Sequence, residues 1–230
     1  MCFTDGERWI ERREDAGQRH SALIMALVQS TLEEARCAAS ELDEVAFGAG
    51  PGSFTGLRIA CGIAQGIGYG AGIPVRAVSS LMAVAQASGC EAVIAAIDAR
   101  MNEVYWAAYR RGVLEPDDQR GPADGYQHAG RVMQWSEIVA PTASPAAAIA
   151  LPKGSDWCAA GNAFGRFAPL VAMLSPSTRI EASIDVTARA IAELALTGHG
   201  ALDDAEHAMP VYIRDKVAMT SAERLAVRRS

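Results

Sequence analysis

The sequence has little that would draw it to a polyanion. Its 230 residues carry 21 Lys and Arg against 27 Asp and Glu, a net charge of −6. Phosphate binding is driven by clustered basic side chains, so the chain alone does not read as a strong nucleic-acid binder. The basic residues are nearly all Arg; Lys153 and Lys216 are the only lysines. Cys2, Cys37, Cys61, Cys90 and Cys158 are odd in number, widely spaced and without a CxxC pair. That argues against a disulfide framework or a zinc site and for reduced thiols in the cytoplasm. No secretory apolar region follows a basic one, and no apolar run reaches membrane-span length without glycines and polar breaks. His20, His128, His199 and His207 lie far apart with no metal spacing. No Ser-His-Asp set has a recognisable context.

What the sequence does have is organised around Phe47-Gly48-Ala49-Gly50-Pro51-Gly52-Ser53-Phe54-Thr55-Gly56-Leu57-Arg58. An apolar strand, Glu44 to Phe47, feeds a Gly/Pro loop, which feeds a long apolar segment from Leu57 to Tyr69. Pro51 keeps Gly50 out of the α region, so no helix begins before it. Ser53 or Thr55 can cap the helix that follows. Strand, Gly-rich loop and helix N-terminus make a shape that can hold an anion. The phosphate-loop Lys is missing, however, and Gly50-Pro51-Gly52 does not continue as a dinucleotide fingerprint. Gly66-Ile67-Gly68-Tyr69-Gly70-Ala71 fits that fingerprint only in the wrong place, at the end of a helical run. Within the helix, Gly62, Gly66 and Gly70 recur every fourth residue and so share one face. Each costs about 1 kcal/mol relative to Ala, which predicts close approach of another backbone. Either this chain's own sheet or a partner helix could supply it.

Half of the residues are hydrophobic, enough to bury one large core or two small ones. Asp5-Gly6 predicts a hairpin between Met1–Thr4 and Trp9–Arg13. Leu23, Ile24, Leu27, Val28, Thr31 and Leu32 make one stripe of a helix from His20 to Ala38. Val75 to Val78 reads as a strand, followed by a helix capped at Ser79 or Ser80 and running to Ala87. Glu91 to Asp98 reads as a strand buried on both faces, and Glu103 to Tyr109 as its neighbour. Leu114 to Gly130 reads as loop, Trp135 to Val139 as the start of a short helix, and Ala140 to Leu151 as patternless. Trp157 to Asn162 reads as a strand ending in a Gly turn, Ala182 to Leu196 as an amphipathic helix, and Pro210 to Ile213 as a last extended piece before a polar tail. Alternating strands and helices give an α/β class. Asp98, Arg100 and Glu103 form the densest charged cluster. They could serve as a carboxylate pair for acid/base work or Mg²⁺. The favoured reading is a salt-bridged structural turn in which Arg100 pairs with Asp98 or Glu103.

The run GAGPGSFTGLRIACGIAQGIGYGAGIPVRAVSSLMAVA resembles the signature of the TsaB (YeaZ) family. Arg19-His20-Ser21, the segment Asp98-Ala99-Arg100-Met101-Asn102-Glu103-Val104-Tyr105 and Pro210-Val211-Tyr212-Ile213-Arg214 agree with it. The resemblance implies the two-lobed actin/Hsp70/sugar-kinase fold, each lobe related to ribonuclease H, with lobes at 1–94 and 95–230. It implies a non-catalytic accessory subunit for threonylcarbamoyl transfer to the adenosine beside the anticodon of tRNA. The implied partners are TsaD and the TsaE ATPase, with a homodimer when alone, tRNA reached only through the complex, and no membrane. No cofactor is expected on this chain alone; ATP/ADP and metal are expected on or with the partner, whose metal histidines have no HxxxH counterpart here. The implied partner interface is Gly52, Ser53, Phe54, Thr55, Gly56, Arg58, Gly62, Gly66 and Gly70, with His20, Leu23 and Leu27 of the preceding helix. A sugar-kinase-like phosphotransferase using the Gly48–Gly56 loop on ATP is the rival reading, and a protease is a third. One departure stands out. Family members open with a strand of the type LALDTST, whereas this chain opens at what matches the second strand, so the first N-terminal strand is expected to be missing.

Overall fold

The computed structural model describes residues 1–14, 20–113, 133–154 and 156–214. The expected loop at Leu114–Gly130, His128, Arg19 and the polar tail from residue 215 lie outside them. The chain opens with a hairpin of β1 (Cys2–Thr4) and β2 (Trp9–Glu11). Its turn is held by Asp5, whose carboxylate accepts the backbone N–H groups of Glu7 and Arg8 at 3.1 and 2.7 Å. Helix α1 (His20–Ala35) packs on this hairpin. Strand β3 (Val45–Gly50), helix α2 (Phe54–Ala71) and strand β4 (Val75–Ser79) follow as a parallel βαβ unit. Helix α3 (Ser80–Ser88) is capped by Ser79, whose hydroxyl accepts the Met82 N–H at 3.4 Å.

A second sheet begins at β5 (Ala92–Arg100), which turns into β6 (Glu103–Val113) and then β7 (Met133–Pro145). Strand β8 (Cys158–Ala160), the short helices α4 (Ala163–Arg166) and α5 (Ala168–Ala172), and β9 (Arg179–Glu181) complete it in the order β7-β6-β5-β8-β9. The chain then returns to the first sheet. Helix α6 (Ala188–Leu196) packs on α3 and β3, and β10 (Ala201–Asp203) pairs antiparallel to β4.

The first sheet therefore has the order β10-β4-β3, and the β1–β2 hairpin forms a sheet of its own. Among the described residues no strand joins hairpin to β3, so β3 is paired on one side only. Burial follows the sequence pattern. Val93 and Ala95 of β5 point into a cluster with Leu81, Val84, Tyr109, Ile191 and Leu194; Ile94 and Ala96 point the other way, against Trp157, Phe164 and Leu170.

Two expectations are corrected. Trp135–Val139 is part of the long strand β7, and so is most of the patternless stretch after it. β7 is an edge strand, which is where Pro141 and Pro145 can sit without breaking a ladder on both sides. Helix α6 begins six residues later than Ala182. Thr187 is extended (φ −113°, ψ 150°) and its hydroxyl accepts the Ala190 N–H at 3.1 Å, which fixes the start.

Candidate docking face

The Gly-rich loop and α2 form one unit. Gly50 has φ 121°, and the Gly50–Pro51 bond is cis. Ser53 is the N-cap, its hydroxyl accepting the Gly56 N–H at 3.4 Å. Gly72 ends the helix in the left-handed region, its N–H returning to the Gly68 carbonyl. The inner face of α2 is Leu57, Cys61, Ala64 and Gly68, all buried. On the outer side, Gly52, Ser53, Phe54, Thr55, Gly56, Arg58, Gly62, Gly66 and Gly70 are all exposed, as is Tyr69.

The glycines of this helix divide in two. Among the described residues, a Cβ at Gly62, Gly66 or Gly70 would meet no neighbouring side chain or backbone within 4 Å. A Cβ at Gly68 would lie 2.6 Å from Val75 Cγ2 and 3.0 Å from both Ala205 Cβ and the Ile73 carbonyl. Close approach of the chain's own sheet is thus the work of Gly68, a residue outside the four-residue repeat. The repeat itself is left uncovered by the described residues.

Helix α1 contributes differently. Leu23 and Leu27 are half-buried and line a cleft of about 270 Å³ with Ile24 and Val186. Its exposed side is Met25, Ala26, Gln29 and Glu33. His20 starts the helix, and its side chain lies outside the described residues.

The C-terminal segment is laid across the loop and α2 as a strap. Gln65 Nε2 and the Cys61 thiol both donate to the Ala208 carbonyl, at 3.1 and 3.3 Å. The Val211 N–H donates to the Ala49 carbonyl at 2.7 Å, and a Cβ on Gly50 would come within 2.6 Å of the Val211 oxygen. Tyr212 then stands beside Phe54, ring centroids 5.5 Å apart. Arg58 lies over the Phe54 ring at 4.1 Å and donates from Nε to the Tyr212 hydroxyl at 3.1 Å. Two residues on, Arg214 pairs with Glu103 and lies over Tyr105.

The charged turn between β5 and β6 is closed on itself. Arg100, Met101 and Asn102 all have positive φ. Asp98 is 8% exposed; its carboxylate accepts the Arg100 N–H at 2.8 Å and lies 3.5 Å from the Arg100 guanidinium and 3.3 Å from that of Arg166. Glu103 meets Arg214 rather than Arg100. Among the described residues no three His, Cys, Asp or Glu side chains come together as a set that could hold a metal. Burial pushes up the Cys61 thiol and carries that of Cys158 to about 12, so neither is a thiolate at neutral pH.

A family model described as TsaD: tRNA N6-adenosine threonylcarbamoyltransferase matches residues 13–222. Over 87% of this chain and 83% of the relative, the sequence is 35% identical to the tRNA threonylcarbamoyladenosine biosynthesis protein TsaB of Escherichia coli (strain K12). The chain belongs to the TsaB (YeaZ) family. Solved structures agree. YeaZ from Pseudomonas aeruginosa is 32% identical and superposes with a TM-score of 0.72 over 92% of each chain. Another structure, described as an uncharacterized protein with similarity to peptidase YeaZ from Pseudomonas aeruginosa, gives 0.74 over 93% of each at the same identity. The fold is accordingly the actin/Hsp70/sugar-kinase type.

Seen as a TsaB family member, the chain has residues at this site that sequence reasoning did not join. Tyr212 lies 154 positions from Arg58, and only the P-x-Y-x-R block hinted that it mattered. Arg166, the second cation on Asp98, carried no sequence signal at all.

Proposed function

We propose that this protein is a non-catalytic subunit of the machinery that places threonylcarbamoyl on the adenosine next to the anticodon of tRNA. It docks a TsaD-type subunit on the outer face of α2, and pairs with a second copy of itself when alone. ATP/ADP and metal belong to the partner side, the TsaE ATPase joins the same assembly, and tRNA is met only within it, in the cytoplasm. One observation carries the reading: three glycines in a row on an exposed helix face have nothing above them among the described residues. A lone helix gains from Ala at such positions. Their use is to let a second backbone come near.

The non-catalytic part rests on the missing phosphate-loop Lys, the absence of an HxxxH pair and the raised thiols. The Gly48–Gly56 loop is a poor cradle for ATP, because the Val211 carbonyl already occupies the space beside Gly50.

The test is Gly66→Leu. Packed interfaces tolerate added volume poorly, at roughly 1–3 kcal/mol per site, which is about ten- to a hundredfold in affinity. The complex should weaken by that factor while the dilute monomer melts unchanged. Equal affinity of wild type and variant would place docking elsewhere. Turnover of ATP by the isolated chain, lost on changing one loop residue, would favour the phosphotransferase instead.

A further inference from the structure

We infer that Arg58 is a built-in carboxylate receptor at one end of the glycine face, and that the subunit docking there presents an Asp or Glu to it. The inference rests on the docking reading above and adds its chemistry. Arg58 is one turn before Gly62 on the row 58, 62, 66, 70, so a helix laid along the glycines passes over it.

Its guanidinium is held from two sides. The Phe54 ring lies beneath it at 4.1 Å, and the Tyr212 hydroxyl fixes Nε at 3.1 Å. Tyr212 is itself held, because the strap is pinned just before it by Val211 on Ala49 and just after it by Arg214 on Glu103. The side chain has therefore already lost much of the freedom that binding would otherwise cost. Most arginines of the described residues have their carboxylate nearby, including Arg8, Arg12, Arg13, Arg76, Arg110 and Arg189. Arg58 has none among the described residues, and neither Nη atom donates to a protein acceptor there. An oriented planar fork with its terminal N–H groups unused matches a carboxylate in bidentate geometry. A phosphate has similar demands. A single arginine on a chain of net charge −6 is a weak phosphate site, so the carboxylate is favoured.

In this account Arg58 makes the contact and Tyr212 is a positioning residue. The experiment measures the affinity of the full chain for its native TsaD-type subunit at low and high salt, with melting curves for every variant. Arg58→Ala should weaken binding tenfold or more and flatten its salt dependence. Arg58→Lys should restore little, since an ammonium lacks the fork. Tyr212→Phe should cost a few-fold with an unchanged melting curve, and should cost nothing further in the Arg58→Ala background. Gly66→Leu is the reference. If it weakens binding while Arg58→Ala and Arg58→Lys do not, the receptor is wrong and the docking face stands. If Gly66→Leu has no effect, the docking reading falls and this inference with it. If Arg58→Ala alters tRNA affinity of the assembled complex but not subunit affinity, the ligand is a phosphate and the inference is overturned. Additive losses from Arg58→Ala and Tyr212→Phe would overturn the positioning role.

Discussion

The outer face of α2 and the turn between β5 and β6 are tied together by the same strap, yet they differ in what their side chains have left to meet. At the turn, Asp98 is occupied by Arg100 and Arg166, and Glu103 by Arg214. On α2, a Cβ at Gly62, Gly66 or Gly70 would meet nothing within 4 Å among the described residues, and Arg58 is held by Phe54 and Tyr212. Density of charge in a sequence is thus a poor guide to where side chains are left without partners among the described residues. The cluster rich in ionisable groups is paired within the chain, whereas the row of glycines on α2 is left uncovered among the described residues.

The sharpest way to test the contrast is on one helix. Gly68→Leu should destabilise the monomer by more than about 3 kcal/mol or unfold it, since a side chain there must enter the contact with Val75 and Ala205. Two residues earlier, Gly66→Leu should leave it folded. Equal melting of the two variants would erase the distinction between the faces.

The turn should respond in the opposite sense to the face. Asp98→Asn removes a nearly buried carboxylate that accepts a backbone N–H, while both of its guanidinium partners are more than half exposed. A loss of about 1–2 kcal/mol in stability is expected after discounting those exposed ion pairs, with subunit affinity unchanged. Loss of complex formation at an unchanged melting temperature would make the turn part of the interface.

Acid offers a third probe, through His199, which packs on β7 at the end of the sheet opposite the turn. Burial holds the His199 imidazole below its ordinary 6.5, helped by the fields of Arg111 and Arg76. Its Nε2 accepts the Trp135 N–H at 3.0 Å, and Nδ1 lies 2.9 Å from the Thr197 hydroxyl. The folded value lies below the unfolded one. Its contribution to stability is therefore complete above pH 6.5 and fades as the pH falls through the lowered value. Melting temperature should drop by a few degrees between about pH 7 and pH 5, and His199→Gln should flatten that dependence. An unchanged slope in the variant would assign it to other groups.

The smallest effect is a gain. Gly62→Ala adds a methyl into open space on an exposed helix and should stabilise the monomer by about 0.5–1 kcal/mol. A loss measured by chemical denaturation would mean that this face is packed in the monomer.

How far the sequence could be read depended on whether the deciding contact was local. The loop, the cap at Ser53 and the extent of α2 follow from neighbouring residues, and so does the hairpin at Asp5. The strand β7 is hidden in the sequence because its alternation is broken by Pro141 and Pro145, which an edge tolerates, and being an edge is a property of the sheet. The repeat of Gly62, Gly66 and Gly70 was visible, but which glycine touches the sheet depends on where Val75 and Ala205 arrive. The Arg58–Tyr212 contact spans 154 residues and could not be derived from spacing.

The return of the chain to β4 has a consequence for how the molecule is made. The ribosome delivers β3, α2 and β4 early, but the strand that flanks β4 on its other side, the alanines that back α2 and the tyrosine that holds Arg58 come only after residue 200. Contacts of such long sequence separation form late. A nascent chain carrying the glycine row therefore emerges before the segments that complete that face.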